Sequence, residues 1–439
     1  MYRRILIVGS TPYNKNTPAR AFDAYFHGWE PENLAQIFSN PATPKKGHAG
    51  YFYQLTDKRM LQRFLGKKVR TERIWTESEL EADNGQKSTP PSDNGGIYKK
   101  LYGLGAKKTP LVYLLRRMIW KKKNWCNDTL NAWLDEFKPE CVFLAFSDDF
   151  FIPAIALYAA ERFDIPIVSC IGDDYYFNYR RSLNPLYHIY KRSYRKLIRK
   201  VFAHGGSAIY ISNKIRDKYN SEFGLTGETV YLTSEIERRE YRPIRKEQPL
   251  ITYFGNIRQG RNESLNAIGQ ALGEISPDYK LEVYSGQTER KTVKVFDGNP
   301  NLDFKGRIPY SEVVKKTAES DVVVIVEGFK KKHVNNTRYS LSTKAADSLA
   351  SGAQILVYGS GECGVIEYMQ STEAAAVCTD RAELTACIRG LLEDEARQRS
   401  NYGKAVEVSQ RNHTLESSTG VFRSVVEDAI HAYRSKNTH

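Results

Sequence analysis

Two doubly wound α/β domains facing across a cleft are the architecture expected of this sequence, on three observations. At 439 residues the chain is too long for one simple core, since single cores stop growing at roughly 250–300 residues. Short, near-continuous apolar runs alternate with helix-period segments, the pattern of a parallel sheet covered on both faces. A charged stretch with two prolines, EIERREYRPIRKEQP (235–249), reads as a linker, after which the alternation begins afresh. The expected domains are therefore 1–235 and 250–415, with a last apolar-periodic helix at about 417–433 crossing back to the first.

In the first half the strand-like runs are RRILIVGS, CVFLAF, IPIVSCIG, AIYIS and TVYLTS, with helices at 125–137, 152–163 and 187–201. The second half reads LITYFGNI, a helix over 264–275, YKLEVYSG, LDFKGRI, a helix from Tyr310, DVVVIV, a helix opening near Thr343, AQILVYG and AAAVCT. The polar Gly/Pro-rich stretch 83–96 (DNGQKSTPPSDNGG) reads as a loop.

Charge and cysteine usage narrow the function classes. Lys and Arg outnumber Asp and Glu by 65 to 51, a formal charge of +14, which favours nucleic acid, acidic lipid or phosphorylated substrates. Two segments carry cations without acids and with large apolar residues between them: 107–123 (KKTPLVYLLRRMIWKKK) and 184–205 (NPLYHIYKRSYRKLIRKVFAHG). Such basic amphipathic segments suit an anionic membrane surface, or else form solvated faces over ordinary core stripes; no nucleic-acid module is recognised, so no nucleic-acid partner is expected. The six cysteines form no C-x-x-C pair and several sit in strand-like runs. They read as reduced core residues of a cytosolic protein. The histidines show no H-x-H or H-E-x-x-H spacing, so no metal site is expected. MYRRILIVGS reads as a first strand and not as a signal peptide. No apolar run approaches the roughly 18–20 residues of a membrane span. The expected location is cytoplasmic, soluble or at most peripheral on the inner face of the plasma membrane.

Ligands of open α/β sheets bind beyond the carboxyl ends of strands, and four such junctions in the second half carry suitable chemistry. YFGNIRQGRNESL (253–265) offers Gly255, Asn256, Arg258 and Arg261 in a loop, with Asn262 as helix cap. Glycine admits close backbone approach and an arginine fork suits a diphosphate. YSGQTER (284–290) is a second strand-end loop. FKGRIPYSEV (304–313) places the backbone of Arg307 and Ile308 where it can read a nucleobase edge. Each is also compatible with plain turn chemistry. The fourth, RYSLSTKAADSLASG (338–352), sets Arg338, Ser342, Thr343 and Lys344 at a helix N-terminus with Asp347 one turn on. Free N–H groups and the positive dipole end attract phosphate there; a capped surface helix is the alternative.

Taken together, the four junctions resemble the donor-binding domain of retaining GT-B glycosyltransferases of family four, also called the group 1 family. In that family a Gly-Arg-x-x-x-x-Lys loop and a later cation hold the donor diphosphate; GNIRQGR would set Asn256 at the usual arginine and Arg261 at the usual lysine. The segment STKAADSLASGAQILVYG is similar to the P-S-K-x-x-E-Y-L-A-S-G-x-P-I form of bacterial surface-polysaccharide enzymes. Lys344 falls on its lysine, and Asp347 on the second acid of the family signature, which grips the donor ribose. The first signature acid has no counterpart by spacing: counting back reaches Tyr339, and Glu327 lies too far upstream. GSTPYNKNTPARA (9–21), CIGDDYYF (170–177) and AIYISNKIRDKYNSEFG (208–224) resemble the first domain more loosely.

The resemblance implies a hexosyl transfer from a nucleotide-diphosphate sugar to a saccharide acceptor, retaining, without metal or cofactor beyond the sugar nucleotide. A lipid-diphosphate-linked acceptor in cell-surface polysaccharide synthesis would account for the basic segments. Arg261 and Lys344 are expected on the diphosphate, with Arg258 or Arg338 able to substitute. Asp173 or Asp174 is expected to orient or deprotonate the acceptor hydroxyl, with Asp148 and Asp149 as the second choice. A nucleotide- or nucleic-acid-binding module without transfer activity is the alternative from another class.

Overall fold

A computed structural model describes residues 2–12, 20–82, 109–177 and 182–437. The loop expected over 83–96 lies outside the described residues, as does 13–19 of the segment 9–21.

The chain divides into two compact units, Met1–Thr229 with Thr419–His439, and Val230–Ser418. The first holds eight strands: β1 Ile5–Val8, β2 Leu34–Phe38, β3 Tyr51–Leu55, β4 Glu72–Trp75, β5 Cys141–Ala145, β6 Ile167–Ile171, β7 Ser207–Tyr210 and β8 Thr226–Thr229. They run in the order β4-β3-β2-β1-β5-β6-β7-β8, with only β3–β4 antiparallel among the pairs. All four residues of β1 are fully buried, as a central strand covered on both faces must be. Phe26, Trp29, Phe143 and Phe422 form an aromatic cluster, so the terminal helix Leu415–Asn437 contributes to this core. Among the expected strands of the first half TVYLTS needs a correction: β8 is TGET, upstream of the apolar run.

The second unit is a six-stranded all-parallel sheet of β9 Ile251–Phe254, β10 Leu281–Tyr284, β11 Leu302–Gly306, β12 Val322–Val326, β13 Gln354–Tyr358 and β14 Ala376–Cys378. Its order is β11-β10-β9-β12-β13-β14, the doubly wound arrangement whose direction reverses between β9 and β12. Ile251, Tyr253, Leu265, Ile268, Val324 and Leu356 anchor its core. Segment 235–249 belongs to this unit: Arg242 and Arg245 ion-pair with buried Asp321, and Arg239 donates to the Ser320 carbonyl at 2.9 Å.

Candidate nucleotide site of the second unit

The ladder between β9 and β12 comprises two positions, Ile251–Val322 and Thr252–Val323, and stops before Tyr253. The strand ends at this reversal point supply the chemistry. Gly255 follows β9 with φ at +125°, and a Cβ there would lie 2.6 Å from Lys344 Cε, so only glycine fits the turn beneath the lysine. Gly328, just after β12, packs as closely: its Cβ would meet the Gln259 carbonyl at 2.4 Å.

Helix Arg261–Ile275 starts from Gly260 in the left-handed conformation. Asn262, expected as its cap, is instead inside the helix and donates to the Thr292 carbonyl at 2.8 Å. The left-handed turn at Gly260 starts the helix two residues earlier than capping by Asn262 would. Arg261 Nη2 meets Glu327 Oε1 at 2.7 Å, with side chains 15% and 4% exposed. Glu327 is held from both sides of its backbone: Ser264 Oγ donates to its carbonyl at 2.7 Å and its N–H donates to Tyr358 at 3.0 Å. Arg261 Nε and Glu327 Oε2 are buried without a hydrogen-bond partner, a condition that buried polar groups rarely tolerate unless a ligand meets them.

Helix Thr343–Ser351 is capped by Ser342, whose side chain accepts from the Lys344 N–H at 3.3 Å. Lys344 Nζ donates to Tyr253 Oη at 2.9 Å and lies 4.3 Å from that ring's centroid. Tyr253 Oη in turn donates to the Asn256 carbonyl at 2.6 Å. Burial, and then the charge of Arg261, push the Lys344 ammonium down to about 7, against the opposing pull of Glu327. Arg261 itself is raised: burial works against its charge, and Glu327 outweighs it. The site thus collects two cations, one acid and a tyrosine around a glycine turn.

The remaining expected residues fall as follows. Asn256 Oδ1 accepts from the Arg258 N–H at 2.7 Å, whereas the Arg258 guanidinium is exposed and pairs with Glu289. Arg338 pairs with Glu362. Arg307 and Ile308 follow β11; a Cβ on Gly286, in the neighbouring loop after β10, would lie 3.6 Å from Arg307 Cδ. Thr343 is exposed at the first helical position, and Asp347 Oδ1 accepts from Ser234 Oγ at 2.8 Å.

Spacing along the chain missed Glu327 and Tyr253. Helix Lys331–Thr337 takes up the residues between Glu327 and the lysine helix, so sequence distance overstates the separation. The available signal was position: Glu327 is the first residue after the buried strand DVVVIV.

In the first unit, Asp174 follows β6 and its Oδ1 accepts from the Phe177 N–H at 2.7 Å and from Tyr219 Oη at 2.8 Å. Burial raises its pKa against those two bonds. Asp173 is exposed and accepts from Tyr175 Oη at 3.3 Å. After β5, Asp148 accepts from Tyr113 Oη at 2.7 Å, and Arg116 bridges Asp149 and Asp57.

Two doubly wound sheets, the second with its polar cluster at the reversal point, define the GT-B architecture, and the chain has this fold. Among solved structures, that of Anabaena Alr3699/HepE in complex with UDP matches at a TM-score of 0.56 and 10% identity, over 97% of this chain and 100% of that one. An α,α-trehalose-phosphate synthase (UDP-forming) from Burkholderia vietnamiensis matches at 0.55 and 9% identity, over 98% and 100%. An E. coli trehalose-6-phosphate structure bound with UDP-2-fluoro glucose gives 0.56 and 11%, over 97% and 99%. At such identities the likeness concerns the fold. No protein-family model matches the chain, and no curated protein does.

Proposed function

We propose that the chain is a glycosyltransferase that moves a hexosyl group from a nucleotide-diphosphate sugar to a saccharide acceptor. The observation that carries this is the convergence of Arg261 and Lys344 on a glycine turn at the reversal point of the second sheet. Sugar transfer develops negative charge on the departing diphosphate and positive charge on the sugar, and fixed cations in a dry site stabilise the former. Arg261 and Lys344 would take the diphosphate, which removes the need for a metal in that role. Asp347 would accept from ribose hydroxyls, and the Arg307–Ile308 backbone would meet the base. Asp173 is the better placed of the two first-unit acids to orient the acceptor hydroxyl, because Asp174 is committed to Tyr219 and the Phe177 N–H. Retention of configuration and a role in surface-polysaccharide synthesis rest on the family resemblance. A lipid-diphosphate-linked acceptor, met at a membrane surface, is supported by the two basic segments.

The neighbours solved with UDP and UDP-2-fluoro glucose make uracil the first base to try. A thermal-shift panel of UDP, GDP, dTDP and ADP with their sugars identifies the donor, and turnover of that sugar nucleotide separates the enzyme from a binding module. Arg261→Ala and Lys344→Ala are each expected to weaken donor binding at least about tenfold, the loss of one charge-assisted contact of about 1.5–3 kcal/mol. Unchanged donor affinity in both variants would overturn the site.

A further inference from the structure

We infer that the first unit carries a binding site for an anionic membrane lipid: a cavity for its hydrocarbon chain, rimmed by cations for its phosphate. This deepens the membrane part of the reading above and is independent of its transferase part.

The cavity measures about 620 Å³ and is walled by Leu114, Met118, Trp120, Trp125, Leu157 and Leu197, with Phe150, Ala154 and Tyr158 completing its floor. That volume falls within the roughly 300–1,000 Å³ of sites that hold small ligands. Arg117, Lys121 and Lys122 stand at its edge, and Glu161 is the single carboxylate among the described lining residues. Among the described residues no carboxylate ion-pairs with these three cations; Arg117 lies over the Phe150 ring at 4.5 Å and Lys122 over the Tyr158 ring at 4.3 Å. Arg116, one residue away, is by contrast tied to Asp57 and Asp149. Arg116 is thus committed to carboxylates, whereas Arg117, Lys121 and Lys122 have no ion-pair partner among the described residues and leave charge available for an external anion.

The surface around the cavity has the matching chemistry. Helix Pro110–Ile119 has no fully buried residue, and exposes Leu111, Leu115 and Met118 to 54%, 46% and 44%. These recur at helical spacing, so they share one face. Leu183 and Ile189 are exposed to 104% and 54% at the start of helix Pro185–Gly205. That helix packs on the first through Tyr113 and Tyr190, stacked at 4.6 Å, and it exposes Arg192, Lys196 and Lys200. Exposed aliphatic side chains among exposed cations describe an interfacial face, where the former enter the acyl region and the latter meet headgroups. A nucleic-acid groove would stack bases on open aromatic rings, but the aromatics here are stacked on one another or capped by cations. A second copy of the chain would set like charges against each other.

The test uses the full chain and vesicles of phosphatidylcholine with or without phosphatidylglycerol. Sedimentation should show at least about tenfold tighter binding to the anionic vesicles, lost at high salt. The double variant K121E/K122E should lose about tenfold or more of that affinity, and L111D/M118D should reduce binding to neutral and anionic vesicles alike. Chains brominated at mid-length should quench tryptophan fluorescence, since Trp120 and Trp125 wall the cavity; Ala154→Phe, which fills it, should abolish the quenching while sedimentation persists. Equal binding to both vesicle types, or K121E/K122E binding like the wild type, would overturn the anionic site. Quenching indifferent to Ala154→Phe would overturn the cavity. Melting temperature and nucleotide-induced shift, measured on each variant, report folding and the donor site separately: Arg261→Ala should lose the nucleotide shift and keep vesicle binding.

Discussion

Lys344 couples the site to pH. Its folded pKa of about 7 lies below the ordinary lysine value of 10.5, so between about pH 7 and 10.5 the folded chain binds fewer protons than the unfolded one. The burden that a buried ammonium places on folding is therefore relieved as pH rises through that window. A diphosphate beside Lys344 would restore its charge, so binding takes up a proton. Nucleotide Kd is expected to weaken about tenfold per pH unit above about 7, to follow buffer ionisation heat in calorimetry, and to lose both dependences in Lys344→Met. A wild-type Kd flat across that range contradicts the assignment. Glu327 is the second residue with consequences. Glu327→Ala leaves Arg261 buried and uncompensated, a loss of about 3–5 kcal/mol in chemical denaturation, and nucleotide diphosphate should recover part of it by taking the carboxylate's place. Neither residue's partner was legible from spacing. Glu327 meets Arg261 because it directly follows β12, and the helix Lys331–Thr337 takes up the chain between Glu327 and Lys344, a detour that no residue count along a loop reveals.

Most strands announced themselves as apolar runs; β2, β3 and β4 did not, for identifiable reasons. Gln36 in β2 and Gln54 in β3 are buried at 1% and 4% exposure, bonded to the Ser10 and Asn40 carbonyls. A buried amide satisfied by a loop interrupts hydrophobic patterning without interrupting the strand. Edge strand β4 is half-buried and so carries charge. β8 likewise reads as a turn (TGET), whereas the more apolar residues after it, buried Val230 and half-buried Tyr231 and Leu232, belong to the second unit. The β9 turn, by contrast, was legible because glycine is required there. Gly255→Ala adds a Cβ against Lys344 Cε at a backbone conformation that alanine resists. It is expected to cost about 1–3 kcal/mol and to displace the lysine, so that nucleotide affinity falls further than stability accounts for. Melting curves and titration on the same sample separate the two losses.

The chain crosses between its units twice, at 229–230 and at 418–419, so the last helix serves a core whose strands were laid down at the start. Phe422, Val426 and Ile430 are fully buried or nearly so, and Phe422 packs on Phe26, Trp29 and Phe143. Deleting residues from Thr419 onward should therefore expose the first unit to proteolysis while nucleotide binding by the second persists; loss of both together would show that the second unit cannot stand without the first. The two crossings meet the second unit at one place. Ser418 Oγ donates to the Tyr231 carbonyl at 2.7 Å, and His413 Nδ1 lies 2.8 Å from the Leu232 carbonyl. A segment whose ends touch can be spliced into, or out of, a host polypeptide without stretching either. Residues 230–418 are in this sense a cassette: joined head to tail by a short linker they should circularise without strain, and exchanged for the counterpart of another GT-B chain they should leave the fold of the first unit unchanged.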